Sequence, residues 1–384
     1  MSAWDLIVIG AGAVGSAALR AASEAGARVL GLERFTPAHR RGSSHGLSRI
    51  YRHAYFEHPD YVPLLRHSSA RFASLERESG ARLLHRCGML VIGSQDSTVV
   101  RGSLESAARW QLDVDALDAW SLRERFPWFN VNDDAIGAFE PDAGLVRPEA
   151  TVHAALQVAC GRGAELRTSV RVQEVTEHAT GVSVVTDGGT ERAAAVIIAA
   201  GPWASQLLPE LRPLLTVTRQ VQAWIAPTEG TDATKMPCWL LDRGAGRHAI
   251  YGLAPDPLAA DDPESPARHP KVALHGSEDV VDPDAGAAPV SDADIARLCD
   301  PYRALAPSLA GELVEAATCL YTMSPDEHFL LGTRRGCTRT HFAAGLSGHG
   351  FKLSPALGDA LADLALRGRT NLPVGFLSPD RFAR

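Results

Sequence analysis

No apolar run in the 384 residues reaches the ~18 that a membrane-crossing helix needs, so no bilayer span is expected. A basic excess is missing too. Lys and Arg number 38 against 45 Asp and Glu, and the net charge of −7 gives no reason to expect nucleic acid or an anionic membrane as partner. Six cysteines stand at 87, 160, 238, 299, 319 and 337 without one Cys-x-x-Cys pair, so neither a zinc site nor a disulfide framework is suggested. No metal is expected. A strand pattern begins at Asp5 and leaves no room for a signal peptide, and Phe382-Ala383-Arg384 is not a peroxisomal address. The cytoplasm is the expected compartment.

What is present suits two domains, or one large domain carrying an inserted second. The first seventy-odd residues read as strand, glycine turn, helix, strand, basic loop and helix. Alanines over 14–25 suit a helix packed closely on a sheet and stopped by Gly26, with a second strand from Arg28 to Leu32. Residues 87–145 and about 214–318 are more β-like, with alternation in Val217–Ile225 and His248–Leu253. The run Val196-Ile197-Ile198-Ala199-Ala200-Gly201 reads as a buried parallel strand feeding a turn. Residues 254–270, rich in Pro, Asp and Ala, read as a solvated loop. Near the end, His341–Ala344 form a strand and Gly345, Gly348 and Gly350 a flexible loop. Ser354 is expected as N-cap and Pro355 at the first helical position, with Leu357, Leu361 and Leu364 on one face and Gly368 at the stop.

These patterns predict an α/β, two-domain chain: a Rossmann-type domain over 1–86, 146–213 and 316–384, interleaved with a largely antiparallel substrate domain over 87–145 and 214–315. Gly10-Ala11-Gly12-Ala13-Val14-Gly15 follows a strand and opens a helix, the context that the Gly-x-Gly-x-x-Gly fingerprint requires. Gly10 permits the tight turn, Gly12 the approach of a pyrophosphate, and Gly15 the packing of helix on strand. Glu33, at the end of the second strand, can accept hydrogen bonds from ribose hydroxyls and would repel a 2′-phosphate. The fingerprint by itself does not separate FAD from NAD.

Three further stretches do. They are Gly42-Ser43-Ser44-His45-Gly46-Leu47-Ser48-Arg49-Ile50-Tyr51-Arg52-His53-Ala54-Tyr55, Cys319-Leu320-Tyr321-Thr322-Met323-Ser324-Pro325-Asp326-Glu327-His328-Phe329 and Gly345-Leu346-Ser347-Gly348-His349-Gly350-Phe351-Lys352. With the fingerprint, they resemble the monomeric sarcosine oxidase and N-methyltryptophan oxidase family over nearly the whole chain. The resemblance implies an FAD enzyme, with Cys319 joined through sulfur to the flavin ring. A thiolate is the nucleophile for such a bond, so cationic groups are expected beside it; a small buried hydrophobe is the bland alternative.

By the same resemblance Arg52 and Lys352 hold a substrate carboxylate, where two cations would also keep the amine neutral. Arg49 and Lys271 would lie over the ring and favour negative charge there. His275, Tyr251 and Tyr321 would surround the substrate, and His45 would tune the ring or its attachment. Ser43, Val172, Gly348, Gly350 and Lys352 join the cofactor contacts. The family loop usually reads Gly-Ser-His-His-Gly-Asp-Thr-Arg; Ser44, Leu47 and Ser48 depart from it here, and 254–270 is longer than its counterpart. The activity implied is oxidation of N-methyl or other secondary α-amino acids by a monomer, with O2 reduced to hydrogen peroxide. A dehydrogenase that passes electrons to a protein, and a flavin subunit of a larger complex, are the competing readings.

Overall fold

The computed structural model describes residues 4–383. Strand Trp4–Ile9 lies at the middle of the first sheet because Leu6, Ile7 and Val8 have no polar atom to offer water on either face. It pairs in parallel with Val29–Leu32 on one side and with the second half of Gly189–Ile198 on the other. Thr340–Ala344 adds to that strand in parallel, and the hairpin Val172–His178 and Gly181–Thr186 extends its first half antiparallel. Helix Ala13–Glu24 covers one face and packs on Pro148–Gly161 and Ser354–Arg367. Small residues set that distance: a Cβ on Gly358 would come within 2.6 Å of the Ala17 Cβ.

A second eight-stranded sheet runs Leu313–Met323, Thr216–Ile225, Lys271–Leu274, Ile250–Leu253, Cys238–Leu241, Met89–Ser94, Ala135–Glu140, Asp115–Asp118. Every pairing is antiparallel except that of Cys238–Leu241 with Met89–Ser94. Trp224 and Trp239 are fully buried large side chains of this sheet. Three short strands, Arg49–Tyr51, Gly144–Val146 and Leu84–His85, make a third sheet. The two-domain α/β architecture read from the sequence is thus the one observed. No helix among the described residues is long and apolar enough to cross a membrane.

Three expectations need adjustment. Ser354 is the first helical residue rather than the N-cap: a 3-10 turn over Phe351–Leu353 runs straight into the helix, so no extended residue is left to cap it. The Ser354 hydroxyl is instead buried without a partner. The 254–270 segment is not solvated throughout. Asp256 is buried in a two-pronged pair with Arg147, at 2.6 and 2.5 Å, and Ala259 and Ala267 are buried beside short turns opened by Pro257 and Pro266. Finally, the boundary placed between 315 and 316 falls inside strand Leu313–Met323, so Cys319 belongs to the second sheet, opposite Gln220.

Candidate active site

A single cleft runs from the glycine turn to the second sheet. Gly10, Gly12, Glu33, Ser43 and Val172 line one end; Arg49, Arg52, Tyr251, His275, Tyr321, Gly348, Gly350 and Lys352 line the other. Gly10 has φ +89°, and any Cβ there would stand 2.4 Å from the Ala199 carbonyl oxygen. Gly15 lies behind the cleft wall, where a Cβ would meet the Gly10 oxygen at 1.7 Å. Gly12 differs: its nearest neighbour would be the Ser44 Oγ at 3.3 Å, so its missing side chain leaves room for a ligand. Glu33 accepts from the amides of Ala11 and Phe35, at 2.8 and 2.9 Å, which fixes its carboxylate at the end of the second strand. Helix Ala13–Glu24 has no cap from its own N-cap residue; Ser44 reaches over to accept from the Ala13 amide at 3.1 Å. Those features fit a dinucleotide, with the helix dipole facing its phosphates. The orphaned, buried Thr322 Oγ1 on the same wall also fits a polar ligand.

Cys319, Lys271 and His45 are not on the cleft surface but directly behind it. Arg49 connects the two layers, with its Nη2 3.5 Å from the Cys319 sulfur and 2.9 Å from the Ser43 carbonyl oxygen. Lys271 is buried, and its ammonium donates to the carbonyl oxygens of Gly46, at 2.8 Å, and Ser48. Burial, with Arg49 beside it, holds the lysine well below its ordinary pKa, while Glu149 acts against that. His45 is pushed down to about 3 by burial and then by Arg49 and Lys271, so it is a neutral imidazole.

The far end is an aromatic and cationic chamber. The hydroxyls of Tyr251 and Tyr321 stand 3.3 Å apart, and burial raises both phenols, so they stay protonated. The His275 ring lies edge-on to both, and burial pushes it down to about 4. Gly348, at φ +79°, lies on the Tyr321 ring, which a Cβ would meet at 2.2 Å. Lys352 is buried, donates to the His349 carbonyl oxygen at 2.9 Å, and is lowered to about 7 by burial and then by Arg52.

Arg52 meets less of the expectation. It is stacked on Tyr55 and Phe56, and its guanidinium already grips the Glu57 carboxylate at 2.7 and 2.8 Å. Its charge is therefore shared before any ligand arrives.

Sequence reasoning missed Glu57, Glu149, Glu140 and the buried His349. Glu140 accepts from the amides of His53 and Ala54 and so fixes the turn that carries Arg52. Glu140 and Glu149 have no local signature because their partners are distant in the chain, and Glu57, five residues from Arg52, belongs to no motif that would mark it. One signal was available. The whole sequence holds three lysines, Lys235, Lys271 and Lys352, and two of them are buried here. A buried ammonium calls for a counter-charge nearby, which is what Glu149 and Glu57 are.

A dinucleotide fold whose cleft ends in a buried cationic and aromatic chamber defines a cofactor-dependent oxidoreductase. The family model for FAD dependent oxidoreductases matches residues 5–364. Monomeric sarcosine oxidase of Streptomyces avermitilis is 40% identical, covering 99% of this chain and 98% of that protein. N-methyl-L-tryptophan oxidase of Yersinia pestis is 34% identical, covering 99% of each. Among solved structures, NikD, an unusual amino acid oxidase essential for nikkomycin biosynthesis, superposes with a TM-score of 0.84 at 28% identity, covering 99% of this chain and 98% of that one. The chain belongs to the FAD-dependent oxidoreductase family, in the group of monomeric sarcosine oxidase and N-methyltryptophan oxidase. It is an FAD-dependent amine oxidoreductase.

Proposed function

We propose that the protein is an oxidase of N-methyl or other secondary α-amino acids, with FAD held covalently through Cys319 and O2 as the final acceptor. The observation that carries this reading is the chamber itself: a buried lysine, Lys352, brought down to about 7, shares the end of the dinucleotide cleft with neutral imidazole and phenol groups. Bound flavin supplies the acceptor for the hydride equivalent of the substrate C–H bond and then the donor to oxygen.

The chain's residues do the rest. Gly10, Gly12 and Glu33 hold the adenylate half, Ser43, Val172, Gly348 and Gly350 contribute further contacts, and Arg49 keeps a positive charge beside the Cys319 sulfur. Lys352 takes the substrate carboxylate as a point charge, and Arg52 adds to the field from behind Glu57. Positive charge at this spot, with His275 neutral, disfavours a protonated amine and leaves the nitrogen lone pair free. Tyr251, Tyr321 and His275 form the walls around the substrate. The resulting imine leaves and is hydrolysed to amine and carbonyl products. Lys271 offers a fixed cation in a dry setting where negative charge develops on oxygen, and His45 remains a neutral neighbour. A monomer working in the cytoplasm on a small amino acid completes the reading.

The test is a panel of N-methyl and cyclic α-amino acids assayed for peroxide, with decarboxylated amines as controls. Peroxide from the amino acids and little from the amines is expected. Turnover seen solely with an artificial electron acceptor would make the protein a dehydrogenase instead. Lys271→Met should slow reoxidation by oxygen about 10²–10³-fold, the scale of losing one preorganised electrostatic contact, and anaerobic reduction much less. Stopped-flow measurement of the two half-reactions gives both rates.

A further inference from the structure

Lys271 owes its place to a turn of unusual backbone. Gly46 has φ +101° and Leu47 φ +67°, a left-handed pair that a leucine does not adopt without support. A side chain at Gly46 would collide with the Gln222 amide. The turn's carbonyls point one way, at Lys271: Gly46 O at 2.8 Å, and Ser48 O. The amides of Gly46 and Leu47 point the other way, at Glu149, while that of Ser48 donates to the Gly46 carbonyl oxygen at 2.8 Å. The Gly46 amide donates to Oε1 at 2.6 Å, and the Leu47 amide donates to Oε1 and Oε2 at 3.1 and 3.2 Å.

The Gly46 carbonyl and the Leu47 amide belong to the same peptide unit. That unit therefore stands between a carboxylate and an ammonium with its dipole aligned to both. Each hydrogen bond polarises the peptide in the direction that strengthens the other. Glu149 itself lies in the first turn of helix Pro148–Gly161, whose positive end favours its negative charge.

We propose that Glu149 is a positioning residue for Lys271: its carboxylate holds the left-handed turn at Gly46–Leu47 and, through the shared peptide unit, supplies the counter-charge of the buried ammonium. The catalytic relevance rests on the role given to Lys271 above; the positioning itself does not. The charged and titratable groups around Lys271 are Arg49 and His45 from the loop, Glu149 from the helix, and Cys319 and Cys238 from strands of the second sheet. Of these, Arg49 pushes the ammonium towards its neutral form, and Glu149 is the foremost of those that oppose it. Removing the carboxylate thus tips the balance towards neutral lysine, and the fixed cation is lost at lower pH.

Three lysines in the chain make this directly measurable. Holoenzyme labelled with ¹³C at lysine Cε shows one resonance per lysine, assigned with Lys271→Met and Lys352→Met. In Glu149→Gln, which keeps the size of the side chain, the Lys271 titration midpoint should fall by about one pH unit or more, the shift produced by losing ~1.4 kcal/mol of charge interaction. Glu149→Asp, which keeps the charge at a greater distance, should move it less and stands in if the glutamine variant does not fold. An unchanged midpoint in a folded variant overturns the proposal. Reoxidation by oxygen should slow about tenfold in Glu149→Gln and fall off at lower pH than in the wild type. A shifted midpoint with an unchanged oxygen rate would uphold the positioning and remove the oxygen role from Lys271.

Discussion

Lys352 sits at about 7 because burial, and then Arg52, cost its charged form more than Glu57 returns. A lysine lowered in this way is an ammonium below that pH and a neutral amine above it. A simple carboxylate that lacks the amine should therefore bind best on the acid side and lose affinity as pH rises through neutrality. Lys352→Met should weaken such an inhibitor by about 1.5–3 kcal/mol at low pH and flatten the dependence. Flavin absorbance titrations at several pH values measure it, and an unchanged slope in the variant would move the carboxylate elsewhere. Cys319 offers a second test. Acid precipitation of the wild type should leave the flavin with the protein, while Cys319→Ala should release it to the supernatant and keep the fold. Full release from the wild type would make the flavin non-covalent.

The three glycines of the first turn make different demands on the element they open. Gly15 has no space for a side chain because the Gly10 oxygen occupies it, whereas Gly12 faces only the Ser44 hydroxyl. Gly15→Ala should therefore disrupt the strand–turn–helix unit and give little folded protein. Gly12→Ala should fold, with a melting temperature near that of the wild-type apoprotein, yet bind FAD poorly because its methyl group enters the phosphate space. Flavin content set against circular dichroism separates the two effects. If both variants behave alike, the difference in packing is not what decides the motif.

At the scale of the whole molecule, segments far apart in sequence are tied together by buried charge pairs. Arg147, just before helix Pro148–Gly161, makes a buried bidentate pair with Asp256 in the segment leading towards Lys271. Arg147→Ala should cost about 3–5 kcal/mol, since it strands a buried carboxylate, and the pair Arg147→Met with Asp256→Leu should cost clearly less. Urea unfolding of the single and double variants gives the comparison. A loss in the double variant equal to the sum of the single losses would show that the two residues are independent.

The first sheet was legible in the sequence because its signals are local. A buried apolar strand, a glycine turn and an alanine helix follow each other within Trp4–Glu24 and need nothing distant to be read. The residue types at Cys319, Tyr321, His349 and Lys352 were likewise enough to place the chain in its family. What tertiary structure alone decided is how charge is arranged around them. Glu57 on Arg52, Glu149 behind the Gly46–Leu47 turn and Asp256 under Arg147 have no periodicity or motif, and the last two join segments about a hundred residues apart. Ser354 shows the same limit at a helix end. Its type suits a cap, but the preceding turn, set by the packing of the Gly345–Lys352 loop, was already helical. Local sequence specifies which elements form; the partners of a buried charge are specified by whatever the fold brings beside it, because an unpaired charge there costs too much to remain.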